Sequence, residues 1–111
     1  MILGVKNNMK LQELDRLRNL IIRSEIKQGD TLEEMVFKAY LKHENLKDTA
    51  KEINNLNFKD NDGTLIRTSP EEVSDIIKDK NSIQVIKDKE LYDYVKSTFN
   101  ANKRKAIKRW G

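Results

Sequence analysis

The stretch LEEMVFKAYLKHENLKDTAKEINNLNFKDNDGTLIRTSPEEVSDIIKDK, residues 32–80, decides how this chain folds. Thr31 stands just before it and Glu34 three residues later, the spacing of a capping box, and Leu32, Met35, Val36, Ala39 and Tyr40 follow at helical intervals. Asn45 is placed to cap a second helix, in which Leu46, Ala50, Ile53 and Leu56 fall on one side. Ser69, Pro70 and Glu72 supply an N-cap, a first-turn proline and a second capping box ahead of Val73, Ile76 and Ile77. The reading is three short amphipathic helices with a polar turn between the second and third.

Glu33 to Tyr40, then Asp48 to Phe58, then Gly63, then Thr68, Ser69 and Val73 to Ile77 occur in an order that resembles one known family. It is the recombinase domain that follows the catalytic domain in large serine recombinases, together with small mobile-element regulators sharing its helix-turn-helix. Members commonly carry an A-x-x-L/I-N-x-x-G segment, a loop glycine, an aromatic-Ser/Thr pair and a V-x-x-I-L helix. Here Asn57 stands where glycine is usual and Thr68 where an aromatic is usual. Asparagine tolerates the left-handed conformation better than most residues, so the first difference is mild.

The resemblance implies a helical module for double-stranded DNA, with the third helix offered to the major groove and the loop before it to the backbone. Thr68, Ser69, Glu72, Ser74 and Lys78 are its candidate contacts, and the implied role is a regulator or accessory protein of a phage or other mobile element. Recombination itself is not implied. The outward positions of the third helix, Glu71, Glu72, Ser74, Asp75, Lys78 and Asp79, are mostly carboxylates. A carboxylate repels phosphate, although it can accept from a cytosine amino group. The acidic helix 69–80 therefore leaves a second reading open, an adaptor or antirepressor that offers this face to a protein partner.

With 111 residues and 37% apolar content, the chain supports one domain, 1–111, with a thin core or a core completed by a second copy. Residues 9–28 read as an N-terminal helix ended by Gly29 in a left-handed cap. Its Leu14, Leu17 and Ile21 form a fragment of a heptad, which suits either packing within the domain or a homodimer. Asp62-Gly63 predicts a small β-hairpin at 57–68, with Lys59 and Arg67 placed for phosphate contacts. Asp60, Asn61 and Asp62 lack the glutamate and glycine spacing of a calcium loop, so no metal is expected there. Ile83, Val85 and Ile86 read as a connector. Asp88 is placed to cap a final helix, 88–110, with Leu91, Tyr94, Val95 and Phe99 on one face. The expected class is all-α, a helix-turn-helix core at 31–80 between an N-terminal amphipathic helix and a basic C-terminal one.

Charge is distributed unevenly. Residues 31–80 hold eight Lys/Arg against eleven Asp/Glu, whereas residues 81–111 hold eight against three. A polyanion is therefore expected at the C-terminal end, on Lys103, Arg104, Lys105, Lys108 and Arg109. The chain has no cysteine, and its first apolar residues are interrupted at Lys6, too early for a signal peptide or a spanning helix. A cytoplasmic protein that does not enter membranes is expected, with Met9 a candidate second start site. No cofactor motif occurs, and the single histidine, His43, has no nucleophile or phosphate loop to accompany it, so an enzyme is not expected.

Overall fold

The computed structural model describes residues 11–110, with side chains as far as Arg104. Six helices follow one another in it: α1 Leu11–Arg23, α2 Leu32–His43, α3 Leu46–Leu56, α4 Pro70–Lys78, α5 Ser82–Val85 and α6 Lys89–Trp110. The all-helical expectation holds. Met9 and the start of the first helix as expected from residue 9 lie outside the described residues.

Local chemistry sets most of the helix ends. The Thr31 capping box is complete, with Thr31 Oγ1 accepting from the Glu34 amide at 3.1 Å and Glu34 Oε1 accepting from the Thr31 amide at 2.9 Å. Asn45 Oδ1 accepts from the Asp48 amide at 2.7 Å, and Ser69 Oγ from the Glu72 amide at 3.2 Å. Asp88 Oδ1 accepts from the Leu91 amide at 3.3 Å. Each satisfies a first-turn N–H that has no partner within its own helix. At the other ends, Glu44 and Asn57 take the left-handed conformation, with φ of 57° and 55°. Asn57 thus does what the glycine of the resembling family would do.

Helix α2 is the post around which the others stand. Its sequence shows one apolar face, but Met35, Val36, Phe37, Ala39, Tyr40 and Leu41 are all buried. At 3.6 residues per turn these cover about two thirds of the circumference. Helices α1, α3, α4, α5 and α6 all pack on it. Phe37 stacks on Tyr92 of α6 with centroids 5.6 Å apart, and Tyr40 meets Phe99 edge-on at 6.0 Å. From α3 come Ala50 and Ile53, from α4 Val73 and Ile77, and from α6 Leu91, Val95 and Phe99.

Three expectations change. The N-terminal helix stops at Arg23 rather than near Gln28, with the Ser24 amide donating to the Ile21 carbonyl at 3.2 Å in a tighter turn that ends the helical ladder. Gly29 does have a positive φ, 102°, but it serves a turn closed by the Asp30 amide on the Lys27 carbonyl, and is not a helix cap. That turn is held to α2 by Lys38 and Asp30, 2.8 Å apart and largely buried. The hairpin at 57–68 reduces to one antiparallel bridge, Lys59 to Leu65. Two cross-strand backbone bonds flank it, from the Ile66 amide to the Phe58 carbonyl at 2.8 Å and from the Asp60 amide to the Thr64 carbonyl at 2.9 Å, and Asp60 Oδ1 accepts from the Asp62 and Thr64 amides to close the turn. Finally, Leu17 is 5% exposed and belongs with Leu20 to the core of its own chain, while Leu14 and Ile21 are half-buried beside it.

The start of α6 is tied to the end of α1. Arg23 Nε donates to Asp88 Oδ2 at 2.9 Å, Nη2 donates to Asp88 Oδ1 at 3.2 Å, and Nη2 also reaches Glu90. The hydrogen bond from Arg23 holds the Asp88 carboxyl below its ordinary value. These groups are substantially exposed, so the clamp fixes direction more than it adds stability. Because α2 is the shared partner, Phe37→Ala should cost about 3–5 kcal/mol. Urea unfolding tests this, and a loss below about 1 kcal/mol would contradict the central position of α2.

Candidate nucleic-acid interface

The loop expected to hold phosphate is instead fastened to α3. Asn54 donates from Nδ2 to the Thr68 carbonyl at 2.9 Å and accepts on Oδ1 from the Thr68 amide at 2.8 Å, a two-point clasp that satisfies the backbone of a buried residue. The Arg67 guanidinium donates to the Asn54 carbonyl at 3.0 Å, to the Ile66 carbonyl at 3.1 Å and to Asn57 Oδ1 at 2.8 Å. A cation thus sits at the C-terminal end of α3, where the helix dipole favours it.

These contacts show how the candidate residues are used within the fold. Thr68 is 7% exposed, and Arg67, though exposed, directs three guanidinium hydrogen bonds onto the protein. Ser69 and Glu72 are engaged with each other as the cap of α4. Ser74 is half-buried. Lys78 is exposed, 3.9 Å from Asp75. Lys59 is exposed and lines a shallow groove with Gln28, Asp30, Asp60 and Arg67. The exposed side of α4 carries Glu71, Glu72 and Asp75, followed by Asp79.

Helix α3 offers a different surface. Thr49, Ala50 and Ile53 face the core, and Lys47, Lys51 and Asn55 are exposed at intervals of four residues, hence along one side of the helix. Of the carboxylates on the same helix, Glu52 is paired, taking Lys42 at 2.7 Å on one oxygen and His43 on the other, whereas Asp48 Oδ2 accepts from Asn45 Nδ2 at 3.0 Å and remains exposed as a charge beside Lys51 and Asn55. None of the ion pairs among the described residues uses Lys47 or Lys51. Sequence reasoning passed over these three residues, although their spacing opposite Ala50 and Ile53 was the signal.

The two-residue turn between α2 and α3 also anchors the basic end of α6. Asn102 Nδ2 donates to the Glu44 carbonyl at 2.9 Å and to Tyr40 Oη at 3.1 Å, and Tyr94 Oη donates to Glu44 Oε2 at 3.2 Å. Lys103 and Arg104 follow directly and are exposed. The side chains of Lys105, Lys108 and Arg109 lie outside the described residues.

Among the described residues there is no group of His, Cys, Asp and Glu arranged to hold a metal ion, and no helix long and apolar enough to cross a membrane. In comparisons with known proteins, no family model, no curated sequence and no solved structure matches this chain.

The Lys42–Glu52–His43 group links the end of α2 to the middle of α3. A carboxylate only accepts, so His43 Nε2 carries the proton in this contact. Burial pushes the Glu52 carboxyl up, but hydrogen bonds from Lys42 and His43 outweigh it, leaving the group below its ordinary value. A carboxyl lowered in the folded state contributes stability above its unfolded pKa, about 4.3, and loses it as pH falls through the folded value. Glu52→Gln should therefore lower the Tm at neutral pH by about 5 °C, with the difference narrowing as the pH falls below the unfolded value. Thermal unfolding on both sides of that value checks it, and an equal difference on both sides would contradict the pairing.

Proposed function

We propose that this protein is a DNA-binding regulator, of the kind its resemblance to mobile-element regulators implies, in which α2 and α3 act as the helix-turn-helix. The observation that carries this reading is the uncommitted row Lys47, Lys51 and Asn55 along the outer side of α3. In such a unit the second helix lies in the major groove and reads base edges from its exposed side. Lysine suits guanine O6 and N7, and asparagine makes paired contacts to adenine N6 and N7. Lys103 and Arg104, fixed beside the turn that precedes α3, supply phosphate contacts, and Lys105, Lys108 and Arg109 extend the same basic run in the sequence.

This reading moves base recognition from α4 to α3. The carboxylates on α4 would meet phosphates at close range, and the groups expected to guide α4 into the groove are used within the fold. The acidic face of α4 also supports a second reading, a protein adaptor that binds a basic partner there.

Two classes of substitution separate the roles. Lys103→Gln with Arg104→Gln should weaken binding to all sequences alike and make the slope of log affinity against log salt shallower by about 1.8. Asn55→Ala should relax preference at one position of the selected site, by about 1–3 kcal/mol, with the slope nearly unchanged. Fluorescence anisotropy on sites selected from random duplex DNA measures both. Absence of DNA binding at low salt would reject the reading and favour the adaptor.

A further inference from the structure

The face of α1 turned away from the core carries a pattern that its inward face does not. Leu11 is 74% exposed and Ile22 67%, the two most exposed large apolar side chains among the described residues. Asp15 and Arg18 lie between them and are exposed too. At 3.6 residues per turn, Leu11, Asp15, Arg18 and Ile22 fall within about 60° of one another, on a stripe about 17 Å long. Their spacing of four, three and four residues is that of a helix-pairing seam. Leu17, Leu20 and Ser24 are on the opposite side, buried in the domain. No ion pair among the described residues uses Asp15 or Arg18.

We propose that this stripe pairs antiparallel with the same stripe of a second copy of the chain, about a two-fold axis. Leu11 and Ile22 are centred on the same point as Asp15 and Arg18, between Arg16 and Leu17. An antiparallel two-fold placed there sets Leu11 against Ile22 of the other copy and Asp15 against Arg18 of the other copy, each contact occurring twice. The seam is self-complementary in apolar contacts and in charge. A parallel two-fold would set Asp15 against Asp15 and Arg18 against Arg18, so the charges select the antiparallel direction as well as the register. Half-buried Leu14 flanks the seam and adds apolar contact.

The dimer face is therefore the outer one of α1, and the Leu14, Leu17 and Ile21 row chiefly serves the chain's own core. The stripe is narrower than the roughly 800 Å² per partner of a stable complex, so association depends on concentration. The contact involves no DNA group, and its test is independent of the DNA reading.

Charge exchange tests the proposal without disturbing the core. Asp15→Arg and Arg18→Asp each replace two attractions by two repulsions across the axis, and each should weaken self-association about tenfold. Mixing these two variants should restore a dimer containing one copy of each. The double variant Asp15→Arg with Arg18→Asp should dimerise like the unmodified chain. Sedimentation equilibrium from about 10 µM to 1 mM reads all four cases, and circular dichroism confirms that each variant remains helical. An unmodified chain that stays monomeric throughout, single variants that associate as it does, or a mixture and double variant that fail to recover would each overturn the proposal.

Discussion

Met35, Val36, Phe37, Ala39, Tyr40 and Leu41 are six nearly inaccessible side chains on twelve residues of helix, and no single flat partner can cover them. Covering them takes α1, α3, α4 and α6 together, each amphipathic and each contributing two or three side chains. With about 1.5–3 kcal/mol gained per buried apolar side chain, the shared post supplies much of what holds a chain of this size together. A surface made of several elements also needs those elements fixed in direction. Arg23 on Asp88, Lys38 on Asp30, Asn54 on Thr68 and Asn102 on Glu44 do so, and all but the Lys38 pair join residues more than ten apart in sequence.

The same clasps determine which charges are left for a partner. Arg67 is drawn onto the end of α3, and Glu52 is paired with Lys42. What remains outward on α3 is Lys47, Lys51 and Asn55 with Asp48 beside them, a polar row whose two lysines outweigh its one carboxylate, within a segment of the sequence that is acidic overall. Local charge after pairing, rather than net charge of the segment, is what an approaching polyanion meets within a Debye length. The carboxylates of α4 are less completely paired, and they face away from the role that the linear order of motifs suggests for that helix.

Helix starts were legible because capping is local: Thr31, Asn45, Ser69 and Asp88 each act within three residues of themselves and all four cap, although Glu72 takes the Ser69 hydroxyl instead of the Ser69 amide, so the second capping box is not completed. The left-handed Asn57 was legible for the same reason. The early end of α1, the turn role of Gly29 and the one-bridge flap were not, because they depend on what Ser24, Lys38 and Asp60 contact. Of the expected DNA contacts, Lys59, Lys78, Lys103 and Arg104 are exposed, whereas Thr68 is buried and Arg67, though exposed, is bonded with it to a helix more than ten residues earlier. The free row on α3 was visible as a spacing, but its freedom follows from the pairing of Glu52 with Lys42 and His43 on another helix.

The surface assignment is tested most directly by the map of backbone amide shift changes when isotope-labelled protein is titrated with a short DNA duplex at low salt. The account predicts the largest changes along Lys47, Lys51 and Asn55 and at Lys103 and Arg104, with the amides from Glu71 to Asp79 little altered. Changes concentrated on α4, with α3 unaffected, would contradict it.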